Sequence, residues 1–346
     1  VIFFLVISLI FEGEYMLAEP FVAFFVLLSL YLRSLKNNSM IYLSSMACGI
    51  ALLFKQSAFI SVLIVTIITI TNAKSLSKVL RFTLGFFLPL VAFFVYLVAT
   101  NTIDEAYNQI FVYNLIYYPK ESLIKIITLA GPKFLETAPI FLLAFLAIII
   151  WLRNLKKESY TAELIILFLA PIPLFFVRHY PHYWLQIAPF IAILAAKGLE
   201  HIFVIIPRVL KYVFYTTMIT FIMVLTILKT VHTLRYTHPR HLAEISLSKF
   251  LEAEVHTGPI YAENGYISQY FLLNAIPLDK YIYLSEINDW SEDSQKQLLF
   301  KIKNCRPIIV WPADPTQAYA KKIQEYILAN YQPIYSDDKL GVVVYK

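Results

Sequence analysis

The sequence predicts a polytopic α-helical membrane protein with a small C-terminal α/β domain. Of its 346 residues, 59% are hydrophobic and only 15% are charged, whereas soluble domains carry about 25% charged residues. Long apolar runs without a charge recur along the first two thirds of the chain, at 24–30, 60–70, 84–98, 140–151 and 214–228. A helix needs about 20 mostly apolar residues to cross a bilayer. The composition therefore excludes a water-soluble protein.

The apolar pattern predicts membrane spans at residues 1–11, 16–33, 40–54, 57–73, 82–100, 133–152, 160–178, 183–199 and 212–230. Residue 1 is Val rather than Met, and the chain opens inside an apolar run without a charged leader. A signal peptide would begin with a basic segment. We therefore expect a fragment whose upstream part is missing.

Basic residues predict the orientation of these spans. Residues 1–230 hold 17 Lys and Arg against 10 Asp and Glu, whereas residues 231–346 hold 12 against 13. The excess of the membrane half falls mainly on alternate loops, which by the positive-inside rule face the cytoplasm. The formal charge of +6 therefore reflects the membrane topology rather than nucleic-acid binding, and no nucleic-acid partner is expected. The C-terminal domain is extracytoplasmic in this scheme, and a prokaryotic cytoplasmic membrane is favoured.

Residues 1–230 therefore form the predicted transmembrane domain, and residues 231–346 the α/β domain. In the latter, short β-prone runs at 260–262, 281–283, 307–311 and 341–345 alternate with helix-like stretches near 266–274, 291–304 and 315–330. The domain contains no Gly-rich phosphate loop and no metal-spaced His/Cys cluster. Cys48 and Cys305 lie in different domains, so no disulfide is predicted.

Acidic residues cluster at the predicted outer junction of the first two spans, where Glu12, Glu14 and Glu19 occur. Glu19-Pro20 opens the second span, and a carboxylate there is stabilised by the helix dipole. Helix capping is one interpretation of Glu19. The functional interpretation is a carboxylate that binds a metal, orients an acceptor or acts as a general base.

Lys55 is an isolated cation between two apolar spans. Its side chain either snorkels to the lipid headgroups or holds a lipid phosphate as a point charge.

The short outer turn Arg178–Trp184 carries Arg178, His179 and His182 beside aromatic residues that include Tyr183. An interfacial aromatic belt explains the aromatic residues but not three potential cations in so short a turn. A phosphate- or sugar-binding role is therefore favoured. A second His/Arg group at 237–241 is interpreted as a polar linker.

Three segments resemble one family of enzymes. Leu17-Ala18-Glu19-Pro20-Phe21, Ala47–Gln56 and Tyr180-Pro181-His182-Tyr183-Trp184-Leu185-Gln186-Ile187-Ala188-Pro189 occur in the order and spacing of its motifs. The chain is thereby similar, over residues 1–200, to the dolichyl-phosphate-mannose–protein mannosyltransferase-like branch of the GT-C glycosyltransferases. The resemblance implies a GT-C-like fold that uses a polyprenyl-monophosphate sugar as donor on the outer face.

The resemblance also implies roles for individual residues. Transfer of mannose or another hexose or pentose to a lipid, glycan or protein acceptor is expected, with a catalytic acid in the missing first outer loop. Glu19 lies near a second acidic position of the family, and Lys55 and the 179–183 turn match its donor-phosphate end. The expected roles are carboxylate chemistry for Glu14 or Glu19, and phosphate or sugar contacts for Lys55, Arg178, His179, His182 and Tyr183. Participation of a divalent metal ion is left open.

Two other classes of function compete with a transferase. A transporter would need ionisable groups at the bilayer midplane and paired broken helices, whereas this sequence keeps its charges at one rim. A non-catalytic flippase or polysaccharide-assembly protein fits charges at one rim nearly as well as a transferase does. A membrane-anchored binding module would use residues 231–346, which show no clear site. In all these interpretations the membrane lipids are partners.

Overall fold

A computed structural model describes the backbone of most of the chain. The residues described are 2–10, 18–35, 37–73, 75–108, 110–112, 123–153, 159–175, 181–232, 234–235, 238–254, 259–262, 268–275, 278, 292–314 and 321–346. They fall into two compact units. The first comprises the described residues of Val1–Ile110 and Pro119–Thr226, and the second those of Phe111–Tyr118 and Ile227–Lys346.

The first unit is helical. Its helices in chain order are α1 (Ile2–Ile10), α2 (Ala18–Ser34), α3 (Asn38–Phe54), α4 (Phe59–Thr71), α5 (Leu76–Ala99), α6 (Ile103–Tyr107), α7 (Leu123–Arg153), α8 (Ser159–Leu169), α9 (Ile172–Phe175), α10 (Ala188–Ile205) and α11 (Arg208–His232), the last of which continues past the unit boundary. In the described part of this unit, two 3₁₀ turns interrupt them. The first 3₁₀ turn is Gln56–Ala58 and the second 3₁₀ turn is Pro181–Gln186.

Four helical segments in the described part of the chain are long and apolar enough to cross a membrane. They are Leu76–Ala99, Gly131–Arg153, Ala188–Ile205 and Arg208–Leu228. Shorter apolar helices occupy Asn38–Phe54, Gln56–Thr71 and Tyr160–Leu169. Large apolar side chains on α5 and α11 are exposed over much of both helices, and soluble proteins rarely expose such extensive apolar surface. The helices are thus those of a membrane protein.

Every segment predicted as a span contains a helix, although several predicted boundaries are wrong. Helix α5 begins at Leu76 rather than at 82, α7 begins at Leu123 rather than at 133, and α10 ends at Ile205 rather than at 199. The segment predicted at 160–178 is divided after Leu169, because Pro171 has no backbone N–H to continue the helical ladder. The segment predicted from 183 begins as the second 3₁₀ turn, and α10 starts only at Ala188, with Pro189 in its first turn.

Helices α3 and α5 pack at backbone contact because both carry glycine. A Cβ atom on Gly49 would overlap the Phe86 carbonyl oxygen, and one on Gly85 would overlap Ser45 Oγ. Between α2 and α3, the buried Ser29 Oγ lies 2.9 Å from Ser44 Oγ and 3.1 Å from Cys48 Sγ. Small residues and hydroxyl hydrogen bonds are how helices associate where no hydrophobic effect drives them together.

The second unit contains a four-stranded sheet with helices on both faces. Its remaining elements are α12 (His238–Glu254), β1 (Ile260–Ala262), α13 (Ser268–Leu272), α14 (Glu292–Cys305), β2 (Ile308–Pro312), α15 (Lys321–Asn330), β3 (Pro333–Asp337) and β4 (Val342–Tyr345). The strand order is β1-β2-β4-β3. Strands β1 and β2 are parallel, with Ile260 beside Ile308, whereas β4 is antiparallel to both β2 and β3.

Side chains alternate between the two faces of β2, as the two-residue period of a strand requires. Ile308 and Val310 pack in a core with Leu247 of α12. Ile309 and Trp311 pack in a second core, with residues of α14 and α15. The result is a three-layer α/β arrangement.

The predicted strands at 260–262, 307–311 and 341–345 are confirmed, and so is the helix at 291–304. The strand predicted at 281–283 lies outside the described residues. Helix α15 begins at Lys321, inside the stretch predicted at 315–330. The interpretation of 237–241 as a polar linker is wrong for His238–His241, which form the first turn of α12. Strand β3 was not predicted, because its side chains are mostly exposed and polar.

Candidate functional site

Glu19 is buried although it is a carboxylate. It lies in the first turn of α2, beside Pro20, and its side chain is only 1% exposed. The N-terminal end of a helix favours a negative charge, but the dipole alone does not offset removal of a carboxylate from water. A buried carboxylate therefore needs a cationic partner.

Lys55 is that partner, and it occupies the break between α3 and α4. Its backbone is extended, with φ −161° and ψ 137°, and the first 3₁₀ turn follows it directly. Helix α3 ends at Phe54, so the side chain of Lys55 can point toward the interior of the unit. Its Nζ donates a hydrogen bond to Glu19 Oε1 and forms an ion pair with it.

Tyr183 contributes an aromatic face to the same ammonium group. It lies in the second 3₁₀ turn and is buried. The Nζ of Lys55 is 3.8 Å from the centroid of the Tyr183 ring, which is a close cation–π contact. The ring and the carboxylate both contact the ammonium group, and the Lys55 side chain as a whole is 17% exposed. We call Glu19, Lys55 and Tyr183 the ion-pair cluster.

A reciprocal pair of hydrogen bonds lies beside the ion-pair cluster. Ser57 Oγ donates to Gln186 Oε1 at 2.9 Å, and Gln186 Nε2 donates to the Ser57 carbonyl oxygen at 3.1 Å. Gln186 is 1% exposed. One amide therefore joins the first 3₁₀ turn, next to Lys55, to the second, which carries Tyr183.

All of these residues lie at one end of the helices. Glu19 is in the first turn of α2, Lys55 follows the last residue of α3, and Tyr183 precedes α10. The opposite end is marked by a different set of contacts. Arg33, in the last turn of α2, forms an ion pair with Glu163 of α8.

A lysine at the same opposite end provides a comparison with Lys55. Lys197 Nζ of α10 lies 3.0 Å from Thr161 Oγ1 of α8. About fourteen helical residues separate Glu19 from Arg33, so the two ends are roughly 20 Å apart.

Three of the predicted site residues are thus brought together and the others cannot be placed. Glu14, Arg178 and His179 lie outside the described residues. The backbone of His182 belongs to the second 3₁₀ turn, but its side chain is outside the description. Sequence reasoning selected Glu19, Lys55 and Tyr183 separately, and it assigned no role to Ser57 or Gln186.

Gln186 had a detectable signal. It is the polar side chain in the otherwise apolar run from Trp184 to Leu194, and a primary amide there must find hydrogen-bond partners. Ser57 had no comparable signal, because a serine beside a helix break is common.

The ion-pair cluster offers one carboxylate, one ammonium and one aromatic face. Within the described ranges no three His, Cys, Asp or Glu side chains group as a metal site would require. The cluster can bind an anionic oxygen through Lys55, since an ammonium has three N–H donors and Glu19 accepts one of them.

Comparisons with known proteins return no relative. No family model, no curated protein and no solved structure matches this chain.

Proposed function

We propose that the protein is a membrane glycosyltransferase that moves a sugar, mannose or another hexose or pentose, from a polyprenyl-monophosphate donor to a lipid, glycan or protein acceptor. The observation that carries the proposal is the meeting of Glu19, Lys55 and Tyr183 in one cluster. Each comes from a separate segment that resembles such enzymes: Lys55 and Tyr183 match the donor-phosphate end, and Glu19 lies near a second acidic position of the family.

In the proposed reaction the acceptor oxygen forms a bond to the anomeric carbon while the bond from that carbon to the phosphate oxygen breaks. The bonding electrons leave with polyprenyl phosphate. The acceptor proton passes to a carboxylate base. The leaving group is an anion, and a fixed ammonium lowers the free energy of the transition state in which that charge develops.

Lys55 supplies the ammonium in this scheme. The Lys55 side chain is 17% exposed, and the proposal requires that a phosphate oxygen reach its Nζ from that side. The Tyr183 ring holds the ammonium from one side and Glu19 from another, so the charge needs little reorganisation when the donor binds.

Glu19 acts in this proposal as a positioning residue. It is 1% exposed and its carboxylate holds Lys55, which favours orientation of the ammonium over contact with an incoming acceptor. The base is then assigned to another carboxylate, with Glu14, four residues before the start of α2 in the sequence, as the candidate in this chain. Arg178, His179 and His182 remain proposed contacts of the phosphate or sugar.

The proposal puts the ion-pair cluster and the C-terminal unit on the extracytoplasmic side of a prokaryotic cytoplasmic membrane. Its support is the arrangement of charge: Arg33 and Lys197 belong to the basic loops and helix ends that the positive-inside rule assigns to the cytoplasm, and the ion-pair cluster is at the other end of α2.

The test is a transfer assay on the full-length protein in liposomes. A panel of polyprenyl-monophosphate sugars is supplied with a membrane extract as the source of acceptor, and release of polyprenyl phosphate is measured. We expect release that depends on acceptor, and a loss of about 100-fold or more in Lys55→Met. Lys197→Met is the matched control, because it removes a half-buried lysine at the opposite end, and it should retain activity.

Absence of release from every donor, with folded protein and an acceptor pool that a second enzyme can use, would contradict the proposal. The alternative is then a flippase or polysaccharide-assembly protein without catalysis. In that case the same liposomes should show movement of the donor lipid between leaflets.

A further inference from the structure

We propose that Gln186, through its two hydrogen bonds to Ser57, is a positioning residue that fixes the ammonium of Lys55 between Glu19 and Tyr183. The assignment of this device to a sugar-transfer site rests on the proposed function above. The control of Lys55 by Gln186 does not depend on that function.

The first step of the argument is the backbone around Lys55. Lys55 N–H still bonds to the Ala51 carbonyl at 3.4 Å, and Ala58 N–H bonds to the Lys55 carbonyl at 3.0 Å. Between these two bonds the chain leaves the α-helical ladder. Non-helical backbone in a membrane-spanning unit is stable only where it is buried in protein and given polar partners, and Gln186 supplies one to Ser57.

The second step is the reciprocity of the contact. The Gln186 amide accepts from the Ser57 hydroxyl and donates to the Ser57 carbonyl. Two bonds between one amide and one residue fix orientation as well as distance. Because Lys55 is two residues from Ser57 and Tyr183 is three residues from Gln186, the same bonds set the spacing of cation and ring.

The third step is burial. Gln186 is 1% exposed, so loss of its partners leaves a desolvated amide, and the two 3₁₀ turns gain freedom to separate. A purely structural hydrogen bond would stabilise the whole unit. Loss of a positioning residue instead changes the reactivity of Lys55 selectively.

The experiment measures acetylation of Lys55 in the intact protein in detergent, with a water-soluble N-hydroxysuccinimide acetate ester and peptide mass spectrometry. No sugar donor is present, so the measurement is independent of transfer. The exposed Lys322 normalises reagent reactivity, and the half-buried Lys197 reports general loosening of the helices.

In Gln186→Met, which keeps length but removes both bonds, we expect the Lys55 acetylation rate to rise about tenfold relative to Lys322. Ser57→Ala removes only one bond and should raise it less, and Ser57→Thr, which keeps the hydroxyl, should resemble wild type. Combining Ser57→Ala with Gln186→Met should add nothing to Gln186→Met alone, because both bonds are already absent.

An unchanged Lys55 rate in Gln186→Met overturns the inference. An equal rise at Lys55 and Lys197 also overturns it, since Gln186 would then only stabilise the unit. As a matched control, Ser44→Ala removes a buried hydrogen bond from α3 away from Lys55 and should leave the Lys55 rate unchanged. A selective response without any transferase activity would retain the positioning role and reject only the proposed function.

Discussion

Lys55 places its ammonium group 3.8 Å from the centre of the Tyr183 ring. The two residues belong to separate helix breaks, one between α3 and α4 and the other before α10. A cation over a desolvated aromatic face gains about 2 kcal/mol. The contact therefore joins two breaks that are distant in sequence.

Replacement of Tyr183 separates the role of the ring from that of its volume. Tyr183→Phe keeps an aromatic face under Lys55, whereas Tyr183→Leu keeps apolar bulk without it. We expect Tyr183→Leu to lower the free energy of unfolding by about 2 kcal/mol more than Tyr183→Phe does. Titration with SDS, followed by circular dichroism, measures the difference. Equal losses in the two variants would show that the cation–π contact contributes nothing.

The ion pair of Glu19 with Lys55 predicts a non-additive double mutant. Glu19→Gln or Lys55→Met alone breaks this ion pair and keeps the other charge in a site with little access to water, so each should cost about 3–5 kcal/mol of stability. The double variant removes both charges and should cost less than the sum of the single variants. The same SDS titration checks the cycle. Additive losses would indicate that the two side chains act independently.

The contact of α3 with α5 predicts sensitivity to a single methyl group. A Cβ on Gly49 would overlap the Phe86 carbonyl oxygen and lie 2.6 Å from Pro89 Cγ. Gly49→Ala should therefore destabilise the protein by about 1–3 kcal/mol through overpacking. Gly131→Ala in α7 is the control, because its Cβ would meet no atom within 4 Å apart from its chain neighbours; Pro132 follows it and disfavours a Cβ in the helical conformation, so we expect a loss smaller than that of Gly49→Ala. Similar thermal unfolding of the two variants would contradict this packing.

The pair of Arg33 with Glu163 predicts loss of stability without loss of chemistry. Both side chains are partly buried at the end of α2 opposite Glu19. Glu163→Gln leaves Arg33 without its anionic partner and should lower the unfolding temperature. If transfer takes place at the ion-pair cluster, the donor KM of the folded Glu163→Gln protein should equal that of wild type. A changed KM would place this end of the helices in the substrate site.

Tyr335 predicts a pH dependence in the second unit. Burial raises the pKa of Tyr335 from its usual value of 10.0, and the charge of Asp337 and a 3.2 Å hydrogen bond to Asp337 Oδ2 raise it further. A raised pKa in the folded state contributes stability below pH 10 that is lost as pH rises through the folded pKa. The difference in tyrosinate absorbance between wild type and Tyr335→Phe should titrate above pH 10. A midpoint at or below 10 would be inconsistent with this environment.

The sequence predicted the helices and the cluster from different kinds of signal. Long apolar runs predict the helices because each helix satisfies its own backbone, and a short run of β-prone apolar residues predicts β2 because both of its faces are buried. Glu19 and Lys55 stood out because charges are rare among apolar spans. Their mutual contact depends on the angle at which α2 meets the end of α3, and no local pattern encodes that angle.

Other features had no local signal. The polar sequence of α12 resembles a linker. Its role in the core is visible only in the folded unit, where the sheet covers Ala243, Leu247 and Leu251. Strand β3 is recognisable only by its pairing with β4, since its own side chains alternate weakly. The bonds of Gln186 to Ser57 required both 3₁₀ turns to be in place.

Helix α4 has a consequence for the lipids around it. Its 13 residues rise about 20 Å, whereas the hydrocarbon core of a bilayer is about 30 Å thick. A short helix is matched by local thinning of the bilayer. If α4 crosses the bilayer, as the span predicted at 57–73 implies, acyl chains beside it would shorten or tilt and the headgroup layer would be drawn inward toward the break that carries Lys55. A long isoprenoid carrier itself disturbs the order of the acyl chains. The free-energy cost of accommodating it would be lower in such a thinned ring of lipid than in the surrounding bilayer.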